Sequence, residues 1–178
     1  MRSMILATVL ALPTVAFAAG GGDDSAPTPT SAEKACMKLG KVLADDGKTC
    51  VAPSSGALDD AALYQAARAF AYAGQYPETL AVLAAMNDAQ DDRVLTYKGF
   101  VHRKQGDLEM GNAYYRQAIA KNPDNFLARS YMGQGFVEAG DLVAAAAQLK
   151  EIRARGGAGS WAEVSLTKAI ESGTTYSY

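Results

Sequence analysis

The sequence predicts an all-α protein built from repeated helix pairs. Three stretches of the sequence align with one another. Each has the pattern of a helix, a turn that starts with glycine, and a second helix. The stretches are residues 63–86, 95–118 and 129–152, with turn glycines Gly74, Gly106 and Gly140. The first and second stretches are 32 residues apart, and the second and third are 34 apart. A unit of this length cannot bury its own apolar face, so we expect neighbouring units to stack.

The first eighteen residues have the pattern of an export signal. Arg2 supplies a positive charge, an apolar run follows, and Ala16-Phe17-Ala18 fits the small-residue cleavage pattern. The apolar run is shorter than the ~20 residues that span a bilayer, and Pro13 interrupts it. We therefore expect residues 1–18 to be removed and the mature chain to reach a bacterial periplasm or the cell exterior.

Residues 19–33 are predicted to be a disordered linker. Glycine, serine, threonine and proline dominate this stretch, and it contains no aliphatic residue larger than alanine. Such a segment has too little apolar surface to stabilise a fixed conformation.

The only two cysteines, Cys36 and Cys50, lie on either side of a predicted chain reversal. Asp46-Gly47 between short apolar stretches favours a tight turn, which brings the two sulfurs together. In an oxidising compartment a disulfide follows, closing a small module at residues 34–55. The alternative is a metal or redox site, which lacks support because neither a four-ligand zinc set nor a C-x-x-C spacing is present.

The helices of the repeats begin and end at recognisable residues. Asp59 and Asp91 are placed to cap the first and third helices, and Pro77 fits the first turn of the second helix. In that second helix, Leu80 and Leu83 are predicted to belong to the buried stripe. The fourth helix follows Gly106 and presents Tyr115 inward. Residues 122–125 make the next break, the fifth helix runs to about residue 139, and the sixth ends near Arg155.

A seventh helix is predicted at residues 158–172, followed by a tail at 173–178. Ser160 and Glu163 fit a capping box at its start. Its apolar stripe is Ala162, Leu166, Ala169 and Ile170, which we expect to cover the last repeat. Trp161 lies off that stripe, and two roles stay open for it: packing at the edge of the stripe or acting as a ligand platform.

The three repeats resemble the tetratricopeptide repeat (TPR) family at the positions that define its pattern. The small residues of the first helices are Ala67, Gly99 and Gly133, the aromatic residues are Phe70 and Phe136, the bulky residues after the turns are Tyr76, Leu108 and Leu142, and the packing pairs are Leu83 with Met86, Tyr115 with Ala118, and Leu149 with Ile152. Lys98, Arg129 and His102 depart from the pattern. The resemblance covers residues 58–157 and implies a right-handed α-solenoid of about three TPR-like helix pairs with a C-terminal capping helix.

In the TPR family the first helix of each repeat lines a concave groove that binds peptides. Position-by-position matching predicts the following groove residues: Tyr64, Arg68, Tyr72, Arg93, Thr96, Phe100, Arg103, Lys104, Ser130 and Gln134, with Val137 and Glu138 beside them. Removing Arg2 leaves 17 − 1 = 16 basic against 19 acidic residues, a net charge of −3. A basic and aromatic groove on an acidic protein suits an extended, acidic or carboxylate-bearing segment. The alternative is an ordinary solvated helical face.

No arrangement of residues in the sequence is typical of catalysis. His102 is the only histidine and stands at a packing position, Ser130 lacks the glycines of a nucleophile elbow, and residues 133–138 lack the third glycine of a phosphate loop. We therefore expect neither an enzyme nor a cofactor, metal or small-molecule substrate. An exported, acidic chain without a long basic stripe is also a poor candidate for nucleic-acid binding.

These observations predict a periplasmic adaptor or scaffold that binds a segment of a partner protein in envelope biogenesis or complex assembly. Contact with the membrane is expected to be indirect only. The alternative is a structural accessory subunit docked permanently in a larger envelope or respiratory complex through its convex face.

Overall fold

The computed structural model describes residues 25–176. The predicted export signal and the first part of the predicted linker lie outside the described residues. The described helices are α1 (Ser31–Met37), α2 (Asp60–Tyr72), α3 (Tyr76–Ala85), α4 (Asp92–Lys104), α5 (Leu108–Lys121), α6 (Phe126–Glu138), α7 (Leu142–Ala154) and α8 (Trp161–Ser172). Apart from these helices, there is a short hairpin of β1 (Val42–Leu43) and β2 (Cys50–Val51) and a 3-10 turn at Pro53–Ser55. The predicted all-α class is confirmed, and none of the described helices is long and apolar enough to cross a membrane.

The N-terminal module is the predicted disulfide-closed hairpin. Cys36 in α1 and Cys50 in β2 are bonded, and the two strands pair antiparallel with Leu43 opposite Cys50. In the turn, the Asp46 carboxylate accepts hydrogen bonds from the main-chain N–H groups of Lys48 and Thr49, both at 2.8 Å. The reversal that the sequence predicted therefore holds the two cysteines together.

One boundary of this module differs from the prediction. Helix α1 begins at Ser31, inside the stretch that was expected to be a disordered linker. The reason is a capping box, in which the Thr30 hydroxyl accepts from the main-chain N–H of Glu33 while the Glu33 carboxylate accepts from that of Thr30. These two bonds satisfy helix N–H groups that would otherwise lack partners, so the ordered helix extends toward the N-terminus.

Local capping sets the other helix boundaries. Each cap side chain accepts a hydrogen bond from a main-chain N–H in the first turn of its helix, which stabilises the start of that helix. These caps are Asp59, Asp91, Asp107, Asn125, Asp141 and Ser160. The turn glycines Gly74, Gly106 and Gly140 have φ values of 72°, 88° and 78°, a left-handed conformation that side chains disfavour.

The helices pack as three consecutive pairs. Helix α2 packs on α3, α4 on α5, and α6 on α7, while α4 also contacts α2 on one side and α6 on the other. The predicted packing residues Tyr115 and Leu149 are buried. Leu80, expected in the buried stripe of α3, is instead exposed, and Val82 is buried there because α3 presents a different edge to α2.

Helix α8 covers the last pair as predicted. Ala162, Leu166 and Ala169 are buried, and Ile170 packs against the same apolar clusters. A side chain at Gly133 would collide with Leu166, because an ideal Cβ there would lie 2.6 Å from a Leu166 methyl carbon. The glycine of α6 thus lets α8 approach closely.

Helices α4 and α5 also pack closely at a glycine. A Cβ atom at Gly99 would lie 2.7 Å from two ring carbons of Tyr115 and 3.0 Å from the main-chain oxygen of Gly111. Tyr115 is fully buried, so its ring has no free space in which to move. Glycine is therefore favoured at position 99 of α4 because a side chain there would collide with the Tyr115 ring.

We expect Gly99→Ala to lower the free energy of unfolding by about 2 kcal/mol, because overpacking outweighs the gain in helix propensity. Urea unfolding followed by circular dichroism measures the change. Gly135→Ala on α6 is the matched control, and its loss should be smaller because the nearest atom is 3.1 Å from an ideal Cβ, compared with 2.7 Å at Gly99. Equal stability of the two variants would contradict this account of the α4–α5 contact.

Candidate peptide-binding face

The ten residues predicted for the groove lie on three neighbouring helices. Tyr64, Arg68 and Tyr72 are on α2, Arg93, Thr96, Phe100, Arg103 and Lys104 are on α4, and Ser130 and Gln134 are on α6. Spacings of three and four residues place side chains on one side of each helix. Contacts join the helices at these residues: the Arg93 guanidinium carbon lies 5.1 Å from the centre of the Tyr64 ring, and the Tyr72 and Phe100 rings stack at 5.8 Å. We call this surface the α2–α4–α6 face.

A row of aromatic rings runs across the face from helix to helix. The ring centres of Tyr64 and Tyr97 are 5.8 Å apart, those of Tyr97 and Tyr131 are 6.2 Å apart, and those of Tyr131 and Trp161 are 6.1 Å apart. All three pairs have the edge-to-face arrangement that aromatic quadrupoles favour. Trp161, for which two roles stayed open, packs against the edge of this row. The row therefore links α2, α4, α6 and α8.

Tyr97 and Tyr131 were missed in the sequence, although they form the floor of the face. Both are fully buried, and the Tyr131 hydroxyl lies 2.6 Å from that of Tyr72. Their positions are 34 residues apart, which is the shift between the second and third repeats. This shared repeat position was a signal that could have identified them.

Arg103 is the most deeply buried charge of the face. Its side chain is 1% exposed, and Nη1 donates to Glu138 Oε1 at 2.6 Å. The guanidinium carbon lies 5.6 Å from the Phe100 ring centre and 5.8 Å from that of Tyr131. Its Nε and Nη2 atoms have no hydrogen-bond partner among residues 25–176. Burial alone would lower the pKa of Arg103, but Tyr115 and Glu138 raise it, so the group stays charged.

The other two arginines of the face differ in exposure. Arg93 has a 42% exposed side chain and binds the Asp91 carboxylate through two hydrogen bonds, at 3.0 and 2.7 Å. The bonds from Arg93 hold the pKa of Asp91 below its ordinary value. Arg68 is buried, and it donates to Gln65 Oε1 at 2.9 Å and to the main-chain oxygen of Ser25 at 2.6 Å. Arg93 is therefore the more accessible of the two cations.

Two polar residues of the face have structural partners. Thr96 donates to the main-chain oxygen of Asp92 at 2.7 Å and accepts from Asn125 Nδ2 at 2.9 Å, which ties α4 to the cap of α6. Gln134 donates to Ser165 Oγ on α8 at 3.0 Å. Both residues are buried, so they contribute to the packing of the helices.

The face is not an open groove along its whole length. Ser130 and Gln134 are fully buried, Gln134 against Ser165 of α8, and the segment that precedes α1 reaches Arg68 through the Ser25 carbonyl. At the other end of the chain, Lys104 Nζ donates to the main-chain oxygen of Tyr176. The expectation of a free surface is corrected accordingly, because segments of the same chain cover parts of it.

The end of the chain makes two further contacts beside Lys104. The Thr175 hydroxyl donates to Glu138 Oε1 at 2.5 Å, and the ring centres of Tyr176 and Trp161 are 6.4 Å apart. Burial and the neighbouring Arg103 lower the pKa of Lys104.

His102 lies outside this face. Its ring stacks on Tyr114 with 5.4 Å between ring centres, and Nδ1 is 3.5 Å from the Asp107 carboxylate. Among residues 25–176, no three histidine, cysteine or acidic side chains come together as a metal site would require.

Comparisons with known proteins add no relatives. No family model, no curated protein and no solved structure matches the chain. The resemblance to the TPR family therefore depends on the residues of the repeats alone.

We expect the buried Tyr115 hydroxyl to make the fold sensitive to alkaline pH. Burial raises the pKa of Tyr115 to about 12, whereas tyrosine in an unfolded chain has a pKa of about 10. The folded chain holds this proton more tightly, so stability is unaffected at lower pH and falls as pH rises from about 10 to 12. Tyr115→Phe should unfold at a higher pH, as measured by circular dichroism.

Tyr114→Phe is the matched control, because the neighbouring Tyr114 is only partly buried. Its alkaline unfolding midpoint should equal that of the natural chain. Coincident alkaline midpoints for the natural chain and Tyr115→Phe would contradict the assignment.

Proposed function

We propose that this protein is an exported adaptor that holds an extended segment of a partner protein on the α2–α4–α6 face. One observation carries the proposal: two segments of the chain without regular secondary structure, one near each end, already lie on this face. In each segment a main-chain carbonyl accepts a hydrogen bond from a basic side chain. The Ser25 carbonyl accepts from Arg68, and the Tyr176 carbonyl accepts from Lys104. The face thus has the contacts that an extended peptide needs.

The chemistry of the face suits a segment of varied sequence. An extended chain has carbonyl groups that require donors, and the Arg68 and Lys104 side chains supply them. The aromatic row adds flat apolar area, which contacts side chains of many shapes. Helix α4 has 13 residues and is therefore about 20 Å long, so it can lie beside about six residues of extended chain.

Charge favours an acidic residue in the partner's segment. Arg93 is exposed at the edge of the face and already binds a carboxylate, that of Asp91, in a bidentate manner. A partner's carboxylate would compete for the same guanidinium. In this proposal the helix pairs are TPR-like repeats whose first helices line the binding face.

An oxidising compartment is part of the proposal. The Cys36–Cys50 disulfide is compatible with a periplasm or the cell exterior, where such bonds persist. The working role we infer is in envelope biogenesis or the assembly of an envelope complex.

A second candidate function has its own observation. The second helices of the pairs each expose a large apolar residue: Leu80 on α3, Met110 on α5 and Val143 on α7, the last at 84% exposure. An exposed apolar row on this layer would suit a structural subunit docked permanently in a larger complex.

Site-specific photo-crosslinking in cells distinguishes the two functions. We expect p-benzoylphenylalanine at position 64 or 93 to capture a partner protein, whereas the same group at position 143 should not. Adducts at position 143 alone would support the docked subunit and overturn the adaptor. An absence of adducts at all three positions would contradict both functions.

A charge reversal tests the role of Arg93. With the crosslinker at position 64, Arg93→Glu should reduce the adduct about fivefold, in line with the loss of one exposed ion pair, and salt should weaken the natural adduct. Arg116→Glu is the matched control, since Arg116 is exposed on α5. Equal loss in both variants would contradict a specific contact at Arg93.

A further inference from the structure

The last described residues of the chain turn back onto the helices. Helix α8 ends at Ser172, and Gly173 adopts a left-handed conformation with φ 67° that reverses the chain. Thr174, Thr175 and Tyr176 have no regular secondary structure. We call residues 174–176 the C-terminal tail.

Three side chains from three helices hold this tail. Lys104 is the last residue of α4, Glu138 the last of α6, and Trp161 the first of α8. Lys104 binds the Tyr176 carbonyl, Glu138 accepts from the Thr175 hydroxyl, and Trp161 lies beside the Tyr176 ring. A cation, a carboxylate and an indole are thus matched to a main-chain oxygen, a hydroxyl and an aromatic ring.

The anchoring groups are themselves held in place. Glu138 also accepts from the buried Arg103 at 2.6 Å, so its carboxylate has a fixed position. Trp161 packs edge-on against Tyr131. Lys104 lies 6.0 Å from the centre of the Phe100 ring. None of these partners belongs to the tail, so the contacts are suited to pre-organise the three groups for a segment that arrives.

We propose that Lys104, Glu138 and Trp161 form a subsite for an extended segment in which a hydroxyl residue precedes an aromatic residue. The C-terminal tail occupies this subsite within the same molecule and competes with the partner's segment. The competition rests on the proposed function, whereas the binding of the tail does not.

The tail has the properties of a displaceable ligand. Tyr176 is 37% exposed, and the tail and the end of α8 line an open pocket of about 460 Å³ between them. The tail therefore lies at the surface, outside the three apolar core clusters. Its short connection to α8 gives the tail an effective concentration in the millimolar range. A partner's segment must outweigh this advantage by its affinity and concentration in order to replace the tail.

Trp161 reports tail binding directly because it is the only tryptophan in the chain. A variant that ends at Gly173 should show stronger quenching of Trp161 fluorescence by acrylamide than the full chain. Its circular dichroism spectrum and melting temperature should stay close to those of the full chain. Equal quenching in the two proteins would overturn the subsite.

A substitution in the full chain tests the Lys104 contact. Lys104→Met should release the tail and increase quenching of Trp161, although the tail is still present. Lys98→Met on the same helix is the matched control, because Lys98 Nζ lies 3.5 Å from the Ala89 carbonyl and not at the tail. Identical quenching in these two variants would also overturn the subsite.

A peptide then tests the chemistry that the subsite recognises. A synthetic peptide of residues 173–178 should bind the shortened protein and restore the protection of Trp161. It should have a smaller effect on the full chain, because the chain's own tail competes for the subsite. Peptides that carry Thr175→Val or Tyr176→Ala should bind more weakly, and equal binding by all three peptides would show that the subsite lacks the proposed specificity.

Crosslinking to the partner protein separates this inference from the proposed function. With the crosslinker at position 64, removal of the tail should increase the partner adduct. Adducts that form equally well with and without the tail would refute competition while leaving the adaptor function intact. No adduct in either protein, together with tail-dependent quenching, would refute the adaptor function and leave the subsite standing.

Discussion

The burial of the Arg103 guanidinium is the interaction on which the rest of the structure depends most. A buried cation without an anion is strongly destabilising, so Glu138 must stay within reach. Because Arg103 is on α4 and Glu138 ends α6, this ion pair sets how the two helices lie against each other. The same carboxylate accepts from Thr175. The ion pair that the buried Arg103 requires therefore also places the Glu138 carboxylate where it accepts a hydrogen bond from Thr175.

The aromatic row joins the helices and at the same time leaves the rings at its two ends partly exposed. Tyr97 and Tyr131 are fully buried and join α4 to α6, while Tyr64 and Trp161 at the two ends of the row are only partly buried. A ring that packs edge-on leaves part of its face or rim for another contact. The ends of the row are thus available to segments from outside the helices, and Tyr176 uses one of them.

Sequence reasoning worked for most features with a local cause, the capping box that starts α1 at Ser31 excepted, and failed where the cause is distant. Asp59, Asp91 and the turn glycines act within one helix turn, so helix boundaries and the Cys36–Cys50 bridge could be predicted. The ten face residues could be assigned to helices by repeat spacing. The covering of these residues by other segments of the chain could not be predicted. Gln134 contacts Ser165 and Lys104 contacts Tyr176, and both contacts join residues far apart in the chain. No spacing rule relates such pairs.

The nature of the covering segments bears on how a partner would enter. Arg68 and Lys104 each bind a main-chain carbonyl, and every peptide offers the same group. Exchange of one extended segment for another therefore keeps these hydrogen bonds and changes their free energy little. In the proposed function, selection would then depend on side chains, at Trp161 and Glu138 for the tail and at Arg93 for an acidic residue. The local concentration of each segment also affects which one binds. The length of the connection between α8 and the tail therefore matters as much as the tail's sequence.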